Sequence, residues 1–188
     1  MVSDQQRWND RYDDATASTT VSPPAALLEM AQFLPSTGRA VDLAGGLGDT
    51  ALWLAQRGLD ATLVEVSDVA CTIADERARL SELELDTVHH DLTTESIPGD
   101  NWDVITCFHY LDRPVLRSIS DSLRTGGIAL VGIATITNLE RHERPSARFL
   151  LEPNELPELL DGLEVIMHTE DWAPWGYHEA RVAARKPR

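Results

Sequence analysis

The stretch that decides the fold is residues 40–55, A-V-D-L-A-G-G-L-G-D-T-A-L-W-L-A. Val41 and Leu43 lie in a short apolar run, Gly45, Gly46 and Gly48 interrupt it, and Leu52, Leu54 and Ala55 then recur at helical spacing. Strand, glycine turn and helix in that order predict a helix N-terminus facing a main chain stripped of Cβ atoms. A nucleotide-like ligand can approach such a backbone closely. Nineteen residues after Gly46, the next apolar run, A-T-L-V-E, closes on Glu65. A carboxylate at that distance can accept hydrogen bonds from two ribose hydroxyls. Gly46-x-Gly48-x-x-Ala51 fits the dinucleotide pattern, so an NAD(P)-dependent oxidoreductase is one reading. The wider run from Asp42 to Gly48, D-x-A-G-G-x-G, opens another.

Outward from this unit the periodicity alternates. Ser22-Pro23-Pro24 reads as a helix start, with Ser22 as N-cap and an apolar face of Leu27, Leu28, Ala31 and Leu34. Strands are expected at 40–43, 61–65, 87–90, 102–107 and 128–133, with helices over 49–57, 67–83 and 113–123. That alternation implies a parallel sheet covered on both faces. The last two apolar runs, 163–168 and 177–185, are joined by the turn-forming E-D-W-A-P-W-G and must pair antiparallel. The expected fold is α/β and Rossmann-like. It is a seven-stranded, mostly parallel sheet, five parallel strands plus a C-terminal antiparallel hairpin, with helices on both faces. A dinucleotide dehydrogenase would continue with further strand–helix units, so the hairpin counts against that reading. Residues 1–22 are expected to form a lid helix and a mobile Ser/Thr/Ala linker ahead of a domain at 23–188. Residues 135–148 lack clear periodicity and gather Arg141, His142, Arg144 and Arg148.

The chain has 188 residues and a formal net charge of −15, with Lys186 its one lysine. No basic footprint for nucleic acid is visible, and anionic lipid would repel this surface. No apolar run approaches the ~20 residues a membrane span needs. The opening M-V-S-D-Q-Q-R-W has no apolar signal region, and Cys71 and Cys107 form no C-x-x-C. A cytoplasmic protein with reduced thiols is expected. His89, His90 and His109 do not have zinc spacing, and neighbours on a strand point to opposite faces, so no metal is expected.

Assembled, these residues resemble class I S-adenosylmethionine (SAM)-dependent methyltransferases, most closely the small bacterial tellurite-resistance and thiopurine-type group. The resemblance rests on W-N-D-R-Y at 8–12, A-V-D-L-A-G-G-L-G at 40–48, and L-V-E-V-S at 63–67. H-D-L at 90–92, W-D-V-I-T-C-F-H-Y-L at 102–111 and L-R-T-G-G-I-A-L-V at 123–131 complete it. Ala44 departs from the family's first glycine, and Asp49-Thr50 stands where the tellurite group often has Arg-Asn. The resemblance implies SAM as cofactor and S-adenosylhomocysteine as product. Asp42, Ala44, Gly45, Gly46 and Gly48 would lie beside its methionine part. Glu65 and Val66 would hold the ribose side, Asp91 and Leu92 the adenine, and Cys107 and Phe108 the pocket wall, with Trp8 and Tyr12 on a helix folded over the cofactor. His109 and His142 are candidate bases, Tyr110 a candidate orienting group, and Arg144 and Arg148 candidate anion ligands. The activity implied is methyl transfer to a small soft nucleophile, thiol, selenium or tellurium species, with the arginines favouring an anionic one. A non-catalytic SAM-binding module is the remaining alternative.

Overall fold

In the computed structural model, which describes residues 3–188, α1 (Asp4–Tyr12) and α2 (Ala25–Met30) precede the sheet. Then β1 (Arg39–Leu43), α3 (Asp49–Gln56), β2 (Asp60–Glu65), α4 (Asp68–Leu80) and β3 (Asp86–His89) alternate. They are followed by β4 (Trp102–Phe108), α5 (Arg113–Ser122), β5 (Leu123–Ala134), the short α6 (Glu155–Leu159), β6 (Glu164–Trp172) and β7 (His178–Arg185). The sheet order is β3-β2-β1-β4-β5-β7-β6. The first five strands are parallel, and β7 inserts antiparallel between β5 and β6. Strand order reverses between β1 and β4, where an open sheet leaves a crevice at the carboxyl ends of its strands.

Central strands are buried on both faces, which is why they read as unbroken apolar runs. One face packs Val41, Leu43, Ile105, Val131 and Ile133 under Leu116 and Ile119 of α5 and Leu156 and Leu159 of α6. The other packs Phe108, Ile128 and Leu130 against Ala26, Leu27 and Met30 of α2. Ser67 caps α4 by accepting from the Ala70 N–H, and Asp112 caps α5 through Val115.

Three local readings change. Ser22 does not cap α2, which begins at Ala25 behind Pro24; its N–H donates instead to Asp49 Oδ1 at 2.9 Å. The fifth strand starts at Leu123 rather than 128, because Leu123 pairs with Trp102 beyond a register shift. β6 runs on to Trp172 and absorbs part of the expected connector. Residues 135–148 contain one 3-10 turn, Ile136–Glu140, and lead into a second, Ala147–Phe149.

The linker after α1 is anchored, where the composition predicted mobility. Arg77 of α4 is 4% exposed. Its guanidinium donates to the carbonyls of Ser18 (3.0 Å), Thr20 (2.7 Å) and Leu47 (2.6 Å) and to Asp49 Oδ1 (2.7 Å). One buried cation therefore ties the linker to the glycine turn. Arg77→Leu removes the donor from those carbonyls and is expected to cost roughly 2–4 kcal/mol in urea unfolding. Faster protease cleavage within residues 15–22 should accompany the loss.

Candidate active site

The glycine turn leaves β1 through three left-handed residues, Ala44 (φ 53°), Gly46 (φ 57°) and Gly48 (φ 82°). Alanine at the first of these carries a strain of about 1–2 kcal/mol that glycine would not. Gly45 is fixed by contact. A Cβ there would stand 2.2 Å from Asp42 Oδ2 and 2.5 Å from Leu63 Cδ1. Asp42 thus lies under the turn, 2% exposed, with Oδ1 accepting from Thr106 Oγ1 at 2.8 Å and Oδ2 without a protein partner. Burial raises its carboxyl to about 7; the Thr106 bond opposes the rise and the charge of Glu65 adds to it.

Glu65, at the end of β2, is 4% exposed. Its Oε2 accepts from the Gly46 N–H and its Oε1 from the Ser67 N–H, each at 2.9 Å. Above this pair sits α1. The Tyr12 hydroxyl is 2.8 Å from the point a Gly46 Cβ would occupy. Burial, then the Glu65 charge, pushes the phenol up to about 12, so it remains a donor at neutral pH. Trp8 stacks on Tyr12 with ring centroids 5.8 Å apart. The helix buries no residue and is held on α4 by polar bonds: Asn9 Nδ2 to Asp68 Oδ1 (2.7 Å), Ser67 Oγ to Asn9 Oδ1 (2.7 Å) and Gln5 Nε2 to Asp68 Oδ1 (3.2 Å).

Beyond β3, Asp91 forms a local turn. Its Oδ1 accepts from the Thr93 N–H (2.9 Å) and Thr93 Oγ1 (2.6 Å), which holds the carboxyl below the usual range and leaves Oδ2 available. Leu92 is buried in the core and Val66 offers its carbonyl to His89 Nε2 at 2.9 Å. His90 is bonded to the Ser96 carbonyl. At the end of β4 the side chains of Cys107 and Phe108 are consumed by packing on opposite faces, Phe108 against Gly132 and Ala26. Any contact they offer at the edge is through the backbone. Burial raises the Cys107 thiol far above its ordinary range, so it stays protonated. Tyr110 is half-buried and likewise held protonated, by burial first and then the Asp112 charge.

His109 follows with φ 58°, a left-handed conformation that turns its ring out of the strand. Its Nδ1 lies 3.8 Å from Oε1 of Glu179, which is 1% exposed at the start of β7. Glu179 Oε2 accepts from Trp175 Nε1 at 3.0 Å. Sequence reading missed Glu179 and Trp175. The signal was present in H-E-A-R-V-A-A-R, where Glu179 and Arg181 share a face of a strand whose other interior residues, Ala180 and 182–184, are small and apolar.

The segment after β5 disperses its candidates. His142 Nε2 meets the Gly176 carbonyl at 2.9 Å and its ring sits near Tyr177 and Trp172, so it fastens the hairpin. Arg141 lies over Trp172 at 3.7 Å and Arg148 over Phe149 at 4.4 Å. Arg144 and Arg148 are exposed and form no ion pair among the described residues; neither joins Glu140, Glu143 or Glu152. A surface depression of about 530 Å³ between Asp60, Asp75, Arg79 and Asp86 opens at the amino edge of the strands, away from all these groups.

Residues 40–127 match the family model described as a methyltransferase domain. Around that stretch the whole chain has the fold of SAM-dependent methyltransferases. Its fold is that of TehB from Haemophilus influenzae, at 20% identity, TM-score 0.75, covering 95% of this chain and 67% of that one. A TehB-like SAM-dependent methyltransferase from Corynebacterium glutamicum matches at 18% identity and TM-score 0.67, over 96% and 95% of the two chains. So does the protein in a structure titled for conversion of a disulfide bond into a thioacetal group during echinomycin biosynthesis, at 17% identity and TM-score 0.72, over 97% and 91%. No curated protein sequence matches the chain. At these identities the solved structures establish the fold and leave the acceptor to be argued from the site.

The residues present fit SAM, the cofactor of this domain. A backbone cradle that admits no Cβ at Gly45, a buried carboxylate at Glu65 and an unpartnered carboxylate oxygen at Asp42 suit a cationic, ribose-bearing ligand. Glu65→Ala is expected to weaken SAM binding by roughly 1.5–3 kcal/mol in calorimetric titration, while Gly46→Val abolishes it by driving into Tyr12. For Asp42 the pH effect has a definite sign. Its folded carboxyl is raised, so the folded state binds the extra proton between the ordinary carboxyl range and about 7. Stability from this group is full below that range and is lost as pH rises through about 7. Urea unfolding at pH 5 and pH 8 should show the loss in wild type and a smaller one in Asp42→Asn.

Proposed function

We propose that the chain methylates a small soft nucleophile, a thiol or its selenium or tellurium counterpart, at the carboxyl edge of β4 and β5. When bound, SAM supplies an electrophilic methyl group and leaves as S-adenosylhomocysteine. The chain's own task is to position two reactants and exclude water. The glycine turn, with Asp42 and Glu65, would hold the cofactor, Tyr12 and Trp8 would cover it, and Asp91 Oδ2 would face the adenine amino group.

The observation that carries the reading is the closure of this edge. The Arg7 guanidinium of α1 lies 6.0 Å from the ring of Phe149, so this helix and the post-β5 segment approach each other, which supports a closed edge. A covered edge suits a small acceptor, and a chain of charge −15 does not suit nucleic acid. Trp8, Tyr110 and Phe149 give the mouth an aromatic, polarisable character that suits sulfur and its heavier relatives. Arg11 beside Trp8 and Arg148 beside Phe149 add positive charge for an anionic acceptor, whereas Arg7 is paired with Asp4. The echinomycin-related neighbour is titled for chemistry at sulfur, which agrees with this choice. Residues 1–22 then act as the lid and its tether.

The nicotinamide reading retains only the Gly46-x-Gly48-x-x-Ala51 pattern, and a SAM-binding module without activity would bind and not turn over. Calorimetry with SAM, S-adenosylhomocysteine and NAD, followed by product detection with anionic and neutral thiols and selenols, separates the three. Arg144→Ala or Arg148→Ala is expected to lower kcat/KM on anionic acceptors selectively, with SAM affinity unchanged. Full activity of both variants on every acceptor would remove the arginines from the acceptor site.

A further inference from the structure

From the junction of β4 and β7 we infer that His109 and Glu179 form a proton-accepting pair, with His109 the base that ionises the acceptor and Glu179 the residue that positions it. The inference rests on the soft-nucleophile reading above and deepens it: the acceptor is one that carries a proton, a thiol or selenol.

Three observations converge on this pair. The first is backbone placement. His109 is the residue after β4, its N–H donates to the Gly132 carbonyl at 2.9 Å, and its φ of 58° is one that a β-carbon-bearing residue rarely adopts. That conformation costs about 1–2 kcal/mol, and it lifts the ring out of the packed strand at the carboxyl edge. The ring is 56% exposed and its Nε2 has no protein partner among the described residues. The second is Glu179 itself, a carboxylate 1% exposed in a strand that, apart from His178 and Arg181, continues as Ala180, Val182, Ala183 and Ala184. Burying a charge there serves no packing purpose and is costly without partners. Its Oε2 is fixed by Trp175 Nε1, which leaves Oε1 directed to Nδ1 of His109 at 3.8 Å.

The third is the disposition of the surrounding charges. Arg181, the neighbouring cation on the same face of β7, is bound to Asp171 of β6 at 2.5 Å and to Glu29 of α2 at 3.4 Å. Asp171 is the register partner of Glu179. Those two carboxylates thereby meet Nε and Nη2 of Arg181, while its buried Nη1 has no hydrogen-bond partner among the described residues. From β5 the positions facing this pair are Gly132 and Ala134, which carry no charge. The cationic partner within reach of Glu179 Oε1 is the imidazole.

A carboxylate beside Nδ1 favours the tautomer with its proton there and leaves the Nε2 lone pair free at the edge of the cleft. The thiol S–H bond then breaks, its proton goes to Nε2, and its electron pair stays on sulfur as thiolate. The imidazolium formed is stabilised by Glu179 and later gives its proton to water. Because a neutral alkyl thiol is a few per cent ionised or less near neutral pH, such a base gives a factor of about 10²–10⁴. An aryl thiol already ionised at that pH gains nothing from it.

The test uses the full chain with SAM, benzyl mercaptan as the alkyl probe and a nitrothiophenol as the pre-ionised probe. His109→Gln should lose kcat on benzyl mercaptan by about 100-fold or more at pH 7, recover as pH is raised, and keep near wild-type turnover on the nitrothiophenol. Glu179→Gln should lose about tenfold on benzyl mercaptan alone, with SAM affinity by calorimetry unchanged in both variants. In ¹⁵N NMR of the ring, Glu179→Gln should shift the His109 tautomer from Nδ1–H towards Nε2–H. Equal losses on both thiols, full activity of His109→Gln on benzyl mercaptan, or a tautomer unmoved by Glu179→Gln would overturn the inference. If wild type binds SAM and methylates neither thiol, the soft-nucleophile reading fails by itself. The tautomer measurement then still decides whether Glu179 positions the ring.

Discussion

The site depends on a single carboxylate spanning two turns. Glu65 sits at the end of β2 and takes one N–H from the β1–α3 turn and one from the start of the β2–α4 turn. Both turns present free N–H groups at the N-terminal ends of helices, where a negative charge is favoured. A buried carboxylate with a single N–H partner would carry a large desolvation cost; with two it is held, and it holds the turns in register. The same oxygens keep lone pairs for ribose hydroxyls. The residue we propose for cofactor recognition therefore also shapes the backbone around it, and Asp42 below and Tyr12 above take their electrostatic character partly from its charge.

Legibility in the sequence follows the range of the interactions. The glycine turn, the strand-two acid and the alternation of strand and helix are local, carried by residue type and short spacing, and the structure contains them. Even the hairpin was legible, since eight residues between two apolar runs leave only antiparallel pairing. The insertion of β7 between β5 and β6 was not, because nothing in a local pattern says which edge a hairpin presents. Arg77 was equally hidden. Besides Asp49, its acceptors are carbonyls in the linker and glycine turn, and a carbonyl has no signature in sequence. Glu179 pairs with His109 across 70 positions, so the partnership exists only once β7 has been placed. His142 shows the converse: its residue type suggested chemistry, and Gly176 and Tyr177 turned it into a fastening for the hairpin.

Stability and mobility are divided along the same lines. The sheet is sealed by apolar packing on both faces, and burial of this kind is insensitive to ligand. α1 has no fully buried residue, only the half-buried Gln5, Trp8, Asn9 and Tyr12 on its inner side, and is attached through Asn9, Gln5, Asp68 and Ser67, bonds that water can replace at little cost. Arg77 fixes the linker from Ser18 onward. Between the last turn of α1 and Ser18 lie residues 13–17, the span left to bend when the helix lifts. If α1 acts as the lid we propose, this tether would limit its travel and return Tyr12 over Gly46. A cofactor entering under α1 would exchange weak, exposed hydrogen bonds for its own contacts with Tyr12 and Glu65. The free energy of closing is then supplied by ligand binding rather than by the fold, as access to a water-excluding site requires.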